Sequence, residues 1–186
     1  MKPPRGAVTV WDPLVRLLHW GLAASVIGAF LLGDWLHRPD HAWHERLGYA
    51  ALAIVALRAA WGVVGPRHAR FTGFVRGPRA TWAYLRQLLR HTEPRYLGHN
   101  PLGGWMVVAL LLNTLLAGAS GWLGTTDAYW GEPWVQDLHA WSGQAFLPLV
   151  ALHLAGVVFT SLRHRESLVR AMLTGRKPAP APGDVE

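Results

Sequence analysis

Four apolar stretches, at about residues 14–36, 47–65, 102–124 and 138–162, are each long enough to cross a bilayer, whose hydrocarbon core takes about 20 residues of helix. In lipid, a backbone finds partners for its N–H and C=O groups only within helices or closed barrels. Helices of this length fix the expected class as all-α, an integral-membrane four-helix bundle. Residues 1–178 are expected to form one transmembrane domain with a polar loop at 66–100, and residues 179–186, rich in Pro and Gly, a disordered tail. A composition of 51% apolar and 16% charged residues agrees. Lys2 and Arg5 before the first span imitate a signal peptide. That apolar run is too long, carries Arg16 and His19 and lacks a small-residue cleavage site, so the expectation is a retained helix.

A net charge of +7 suits either a nucleic acid or a membrane surface. The placement of the charges decides between them. Lys2, Arg5 and Arg16 flank the start of the first span, seven arginines lie in the 66–100 loop, and Arg163, Arg165, Arg170, Arg176 and Lys177 follow the fourth. The opposite loops hold only Arg38 and Arg46, against Asp34, Asp40, Glu45, Asp127, Glu132 and Asp137. The positive-inside rule then puts both termini and the 66–100 loop in the cytoplasm. The basic balance is explained without nucleic acid, for which no motif is present. Within that loop, residues 80–90 gather Trp82, Leu85, Leu88 and Leu89 near one helical face, as a helix lying in the interface would.

This topology gives depths to four histidines. His19 lies near the inner face, His44 and His139 near the outer face, and His153 about 21 Å further in along the fourth helix at 1.5 Å per residue. Fourteen residues also return a helix to within about 40° of the same azimuth. Depth therefore pairs His44 with His139 and His19 with His153. Ionisable groups at membrane depth are functional by default, and two bis-histidine haems account for four of them at two levels. Zinc would require three or four ligands at one point. With no cysteine in the chain, covalent haem attachment, iron–sulfur ligation, thiolate metal sites and disulfides are excluded, so any haem must be held by His or Met.

Small residues accompany each candidate ligand. Gly48 and Gly143 follow His44 and His139 by one turn, and a flat macrocycle between helices requires such gaps, although helix packing in membranes uses small residues too. Arg58, fourteen residues below His44, has two open readings, a partner for a haem propionate or a cation snorkelling to the interface. Arg16 has the same two. His99, in the Gly-His-Asn-Pro run before the third span, either belongs to a quinone site or sits beside a simple Asn100 cap. The acidic, aromatic loop 124–137 either docks a basic redox protein or reflects the charge bias of its side of the membrane.

The segments WDPLVRLLHW, HERLGYAALAIVALR, HNPLGGW, HAWSG with LHLAG, and ESLVRAMLTGRK together resemble the bacterial cytochrome b561-like family, close to the cytochrome b subunits of nickel–iron hydrogenases, over about residues 8–178. The resemblance implies a four-helix cytochrome of the bacterial inner membrane with two b-type haems on His19, His44, His139 and His153. Such a protein carries electrons between a periplasmic partner, a c-type cytochrome or a redox enzyme subunit, and quinone within the membrane lipid. Hydrogenase subunits of the superfamily are typically longer by a helix, and only four spans fit here, which favours a general electron carrier. The alternatives are an anchor subunit of a hydrogenase-like complex and a superoxide:quinone oxidoreductase working at the outer haem edge, where Arg38 and Arg46 are the available cations.

Overall fold

The computed structural model describes residues 6–35 and 42–185. Lys2, Arg5, Arg38 and Asp40 of the charge argument, and the loop histidines His37 and His41, lie outside them. In chain order the elements are β1 (Ala7–Thr9), α1 (Pro13–Phe30) continued by one π turn (Leu31–Trp35), α2 (Ala42–Val64), α3 (Phe71–Phe74), α4 (Pro78–Leu89), α5 (Pro101–Gly124), α6 (Pro133–Arg163), α7 (Leu168–Thr174) and β2 (Arg176–Pro178). Among the described residues, four helices are long and apolar enough to cross a membrane: Pro13–Gly33, Ala42–Val64, Pro101–Gly124 and Pro133–Arg163. α2 and α6 begin five residues ahead of their apolar runs, because the helical ladder continues through polar turns that hydropathy does not register. α6, with 31 residues, runs unbroken through Pro148.

The chain divides into two compact units, one of Leu17–Ala59 and Ala109–Val150, the other of Met1–Arg16, Ala60–Val108 and Ala151–Glu186. In the first, segments of α1, α2, α5 and α6 pack through small residues. A Cβ on Gly28 would come within 2.8 Å of Leu47, and one on Gly118 within 2.6 Å of Leu52. Polar side chains on these segments bond backbone carbonyls. Asn113 donates to the Ser142 carbonyl at 2.9 Å, tying α5 to α6, while Ser120 and Ser142 donate back to Leu116 and Leu138 one turn earlier. Leu17, Ile27, Leu57, Leu112 and Trp141 are exposed, a surface that lipid covers and water does not.

The second unit is built around Val10, Trp11, Val15, Ala69, Leu97 and Ala171. Asp12 organises its entry into α1. The Asp12 carboxylate accepts the N–H groups of Leu14 and Val15 at 3.0 and 3.1 Å and the Trp61 indole N–H at 3.1 Å, with Pro13 in the first helical position, where its missing N–H is not needed. Asn100 does the same for α5, accepting from Gly103 N–H at 2.7 Å. Ser167 caps α7, which ends on Gly175 at φ +79°. The Gly175 carbonyl then accepts from Val10 and Trp11, so close that a Cβ at Gly175 would lie 2.6 Å from the Trp11 oxygen. This leads into the antiparallel pair β1–β2, with Val8 opposite Lys177, a two-stranded exception to the all-α expectation.

Residues 179–185, read from composition as a disordered tail, are folded onto the loop before α5. Leu97 N–H donates to Val185 and Val185 N–H to Arg95, while Arg95 pairs with Asp184 at 2.5 Å and with Glu166 at 2.9 Å. Lys177, almost fully buried, bonds Glu166 at 2.9 Å and the Tyr96 carbonyl at 3.2 Å. Composition missed this because the charges that anchor the tail lie far away in sequence. Glu93 pairs separately with Arg163 at 2.7 Å. Burial alone would raise the Glu93 carboxyl, but the Arg163 bond and charge bring it below the usual range. Burial lowers the Lys177 ammonium despite Glu166, and the Ala181 N–H, with Arg95, holds Asp184 low. Burial, with Glu93 nearby, pushes the Tyr84 phenol up to about 12.

Candidate functional site

The first unit brings His44 of α2 and His139 of α6 together, ring centres 5.7 Å apart and ring planes at 80°. Both rings are fixed from behind in the same way. His44 Nδ1 lies 2.8 Å from the Ala29 carbonyl on α1, and His139 Nδ1 lies 2.9 Å from the Ala117 carbonyl on α5. A carbonyl only accepts, so each Nδ1 carries the proton and each Nε2 keeps its lone pair. That is the tautomer a metal-ligating histidine needs, with the second nitrogen anchoring the ring.

One turn beyond each carbonyl stands a glycine that makes room for the ring. A Cβ at Gly33 would sit 3.0 Å from His44 Cε1, and one at Gly121 would sit 3.0 Å from His139 Cε1. Ala29 with Gly33 and Ala117 with Gly121 thus form two equivalent cradles, each an Ala-x-x-x-Gly on the helix beside the histidine. Gly48 and Gly143, one turn after the two histidines, differ in kind. A Cβ on either would meet nothing within 4 Å. Gly48 borders a cavity of about 300 Å³ whose walls include His44, Ala117, Gly118, Gly121 and His139.

Haem fits these residues. Two imidazoles holding one metal through nitrogen bonds of about 2 Å have ring centres roughly 6 Å apart, close to the observed separation. Each Nε2 keeps its lone pair, Gly48, Ala117, Gly118 and Gly121 leave room beside the two rings, and Glu45, Tyr49, Thr125 and Gln136 complete a mixed wall.

The remaining sequence candidates divide between the units. In the first, His19 packs edge-on against Trp20 with ring centres 5.0 Å apart, its Nδ1 buried, and Arg58 is only 7% exposed. Arg58 does not snorkel out to solvent. In the second, His153 is half-buried on α6, and His99 lies between Trp11 and Phe74, ring centres 4.7 and 4.6 Å away. Arg16, read as a propionate partner or a snorkelling cation, instead donates to the Met172 and Leu173 carbonyls. It caps the C-terminal end of α7, where the helix dipole favours a cation.

The cradle residues were missed by sequence reasoning. Every residue carries a carbonyl, so nothing in its side chain marks Ala29 or Ala117 as an acceptor. The available signal was the Ala-x-x-x-Gly repeated in the helix before each of these two histidines.

The chain matches the prokaryotic cytochrome b561 family over residues 10–175. It is 26% identical to the probable Ni/Fe-hydrogenase B-type cytochrome subunit of Bradyrhizobium diazoefficiens, over 93% of this chain and 87% of that protein. The corresponding protein of Azotobacter vinelandii is 29% identical over 91% and 88%, and that of Rhizobium leguminosarum bv. viciae is 26% identical over 93% and 90%. No solved structure matches.

Proposed function

Since the chain belongs to the prokaryotic cytochrome b561 family, a family of b-type haem proteins of electron transport, we propose that this multi-pass membrane protein carries electrons across the bacterial inner membrane between a periplasmic redox partner and quinone. The observation that carries the reading is the apposition of His44 and His139, each with Nδ1 bonded to a backbone carbonyl and Nε2 left for a metal. These two residues would hold one haem b, and His19 with His153 a second. Haem supplies a one-electron iron couple there.

The rest of the task falls to the chain itself. The Ala29 and Ala117 carbonyls hold the rings in one tautomer, and Gly33 and Gly121 let the rings approach. With both histidines on one iron no position would be left open, which would favour electron transfer over oxygen chemistry. Arg58, buried on α2 fourteen residues after His44, would be placed to meet the carboxylate of a haem propionate. The orientation with both termini cytoplasmic rests on the basic residues of the 66–100 loop and the C-terminal segment, and puts His44 and His139 on the periplasmic side. The hydrogenase-subunit names of the relatives support a redox enzyme as the partner there.

Reduced-minus-oxidised spectra with haem quantification test the proposal. Two low-spin b haems per chain are expected, extractable into acid acetone. Replacing His44 or His139 with Ala should remove one and the same spectral component, and replacing His19 or His153 the other. Loss of a shared component in His44 and His153 variants would refute the pairing, and a haem-free wild-type protein would refute the proposal.

A further inference from the structure

α4 presents three distinct faces. Tyr84 is buried and stacks edge-on against Tyr96 with ring centres 5.5 Å apart, holding the helix to its unit. On a second face, Pro78, Trp82, Leu85 and Leu89 fall within about 60° of one another at 100° per residue. With Thr81 and with Trp105 of α5, the first three line a groove of about 340 Å³. This face is open, with Leu89 73%, Trp82 55% and Trp105 43% exposed. The Trp105 indole N–H donates to the Arg76 carbonyl at 3.0 Å, which ties one wall of the groove to the entry of α4.

The third face adjoins the groove. Arg79, Arg86 and Arg90, at i, i+7 and i+11, lie within about 40° of one another, and the Arg86 guanidinium stands 5.5 Å from the centre of the Trp82 ring. Among the described residues these three arginines form no ion pair with a carboxylate. The segment from residue 66 to residue 92 contains six arginines and no Asp or Glu. An apolar groove therefore lies beside a row of cations that no carboxylate among the described residues neutralises.

We propose that the α4–α5 groove binds one anionic phospholipid, an acyl chain lying against Trp82, Leu85 and Trp105 and the phosphate meeting Arg79 and Arg86. A neutral quinone would use the slot but not the arginines. A free phosphate would use the arginines but not the slot. Basic pockets beside membrane helices recognise acidic headgroups on these grounds. The bound lipid also covers an apolar surface that is otherwise exposed at the edge of the bilayer.

Native mass spectrometry of the full chain in detergent, with equimolar phosphatidylglycerol and phosphatidylcholine of matched acyl chains, tests this. One phosphatidylglycerol should be retained preferentially. Each Arg→Gln change at 79 and 86 should weaken it roughly fivefold, so the double variant should bind about 25-fold more weakly. Thr81→Phe, which fills the slot and leaves the arginines in place, should also expel it, while Arg86→Lys should keep it. Circular dichroism and elution volume check that the variants are folded. Equal retention of the two lipids, undiminished binding by Thr81→Phe, or displacement of the lipid by a short-chain ubiquinone would each overturn the proposal.

Discussion

Replacing Gly48 with Ala separates a cavity meant for a cofactor from an ordinary packing gap. A Cβ at Gly48 meets no protein atom within 4 Å, and the residue lies inside α2 beside His44. Without a cofactor the substitution should therefore stabilise the helix by about 1 kcal/mol, the difference between Gly and Ala in a helix interior. With a macrocycle in the cavity the same methyl meets it, and overpacking costs about 1–3 kcal/mol. The sign of the effect should reverse between the two forms. In the haem-free protein in detergent, the thermal midpoint should rise by a few degrees. In the haem-loaded protein, the component held by His44 and His139 should be lost roughly 5- to 100-fold more readily in competition with apomyoglobin. Gly121→Ala is the counterpart, since its Cβ presses on His139 at 3.0 Å whether or not a cofactor is bound, and it should destabilise both forms. If Gly48→Ala shifted both forms upward equally, the cavity would not be where haem b sits.

Four further outcomes are expected. Arg95→Met strips Asp184 of its partner and Glu166 of one of two, a loss of about 3 kcal/mol for buried pairs, seen as faster carboxypeptidase digestion of residues 179–185 with haem spectra unaltered; unchanged digestion would show the tail is held otherwise. Because the Asp184 and Glu93 carboxyls are depressed in the folded protein, their contribution is complete above the unfolded values near pH 4 and lost as pH falls through the folded ones, so the same digestion should accelerate only below about pH 4. Asp12→Ala removes the cap of α1 and the acceptor of the Trp61 indole, lowering stability by about 1–2 kcal/mol, whereas Asp12→Asn should restore most of it. Alkaline phosphatase fused at Asp127 should be active and fused after residue 178 inactive, and the reverse pattern would invert the orientation.

Sequence by itself determined the membrane-crossing character and the family. Apolar length measured against a bilayer is a one-dimensional property, and a helix converts residue number directly into height and azimuth. For that reason the spacing of His139 and His153, and the matching heights of His44 and His139, could be reasoned from position alone. The tertiary structure decided what lies behind the rings. The Ala29 and Ala117 carbonyls belong to backbone that every residue has, and only the approach of a neighbouring helix turns one of them into an anchor. Gly33 and Gly121 look like any small residue in a membrane helix until a ring is found against them. The fate of Arg16 and of the C-terminal residues had the same cause. Arg16 reaches the end of α7 across 156 residues and Arg95 reaches Asp184 across 89, and a charge pairs with whatever the fold sets beside it rather than with what is near it in the chain.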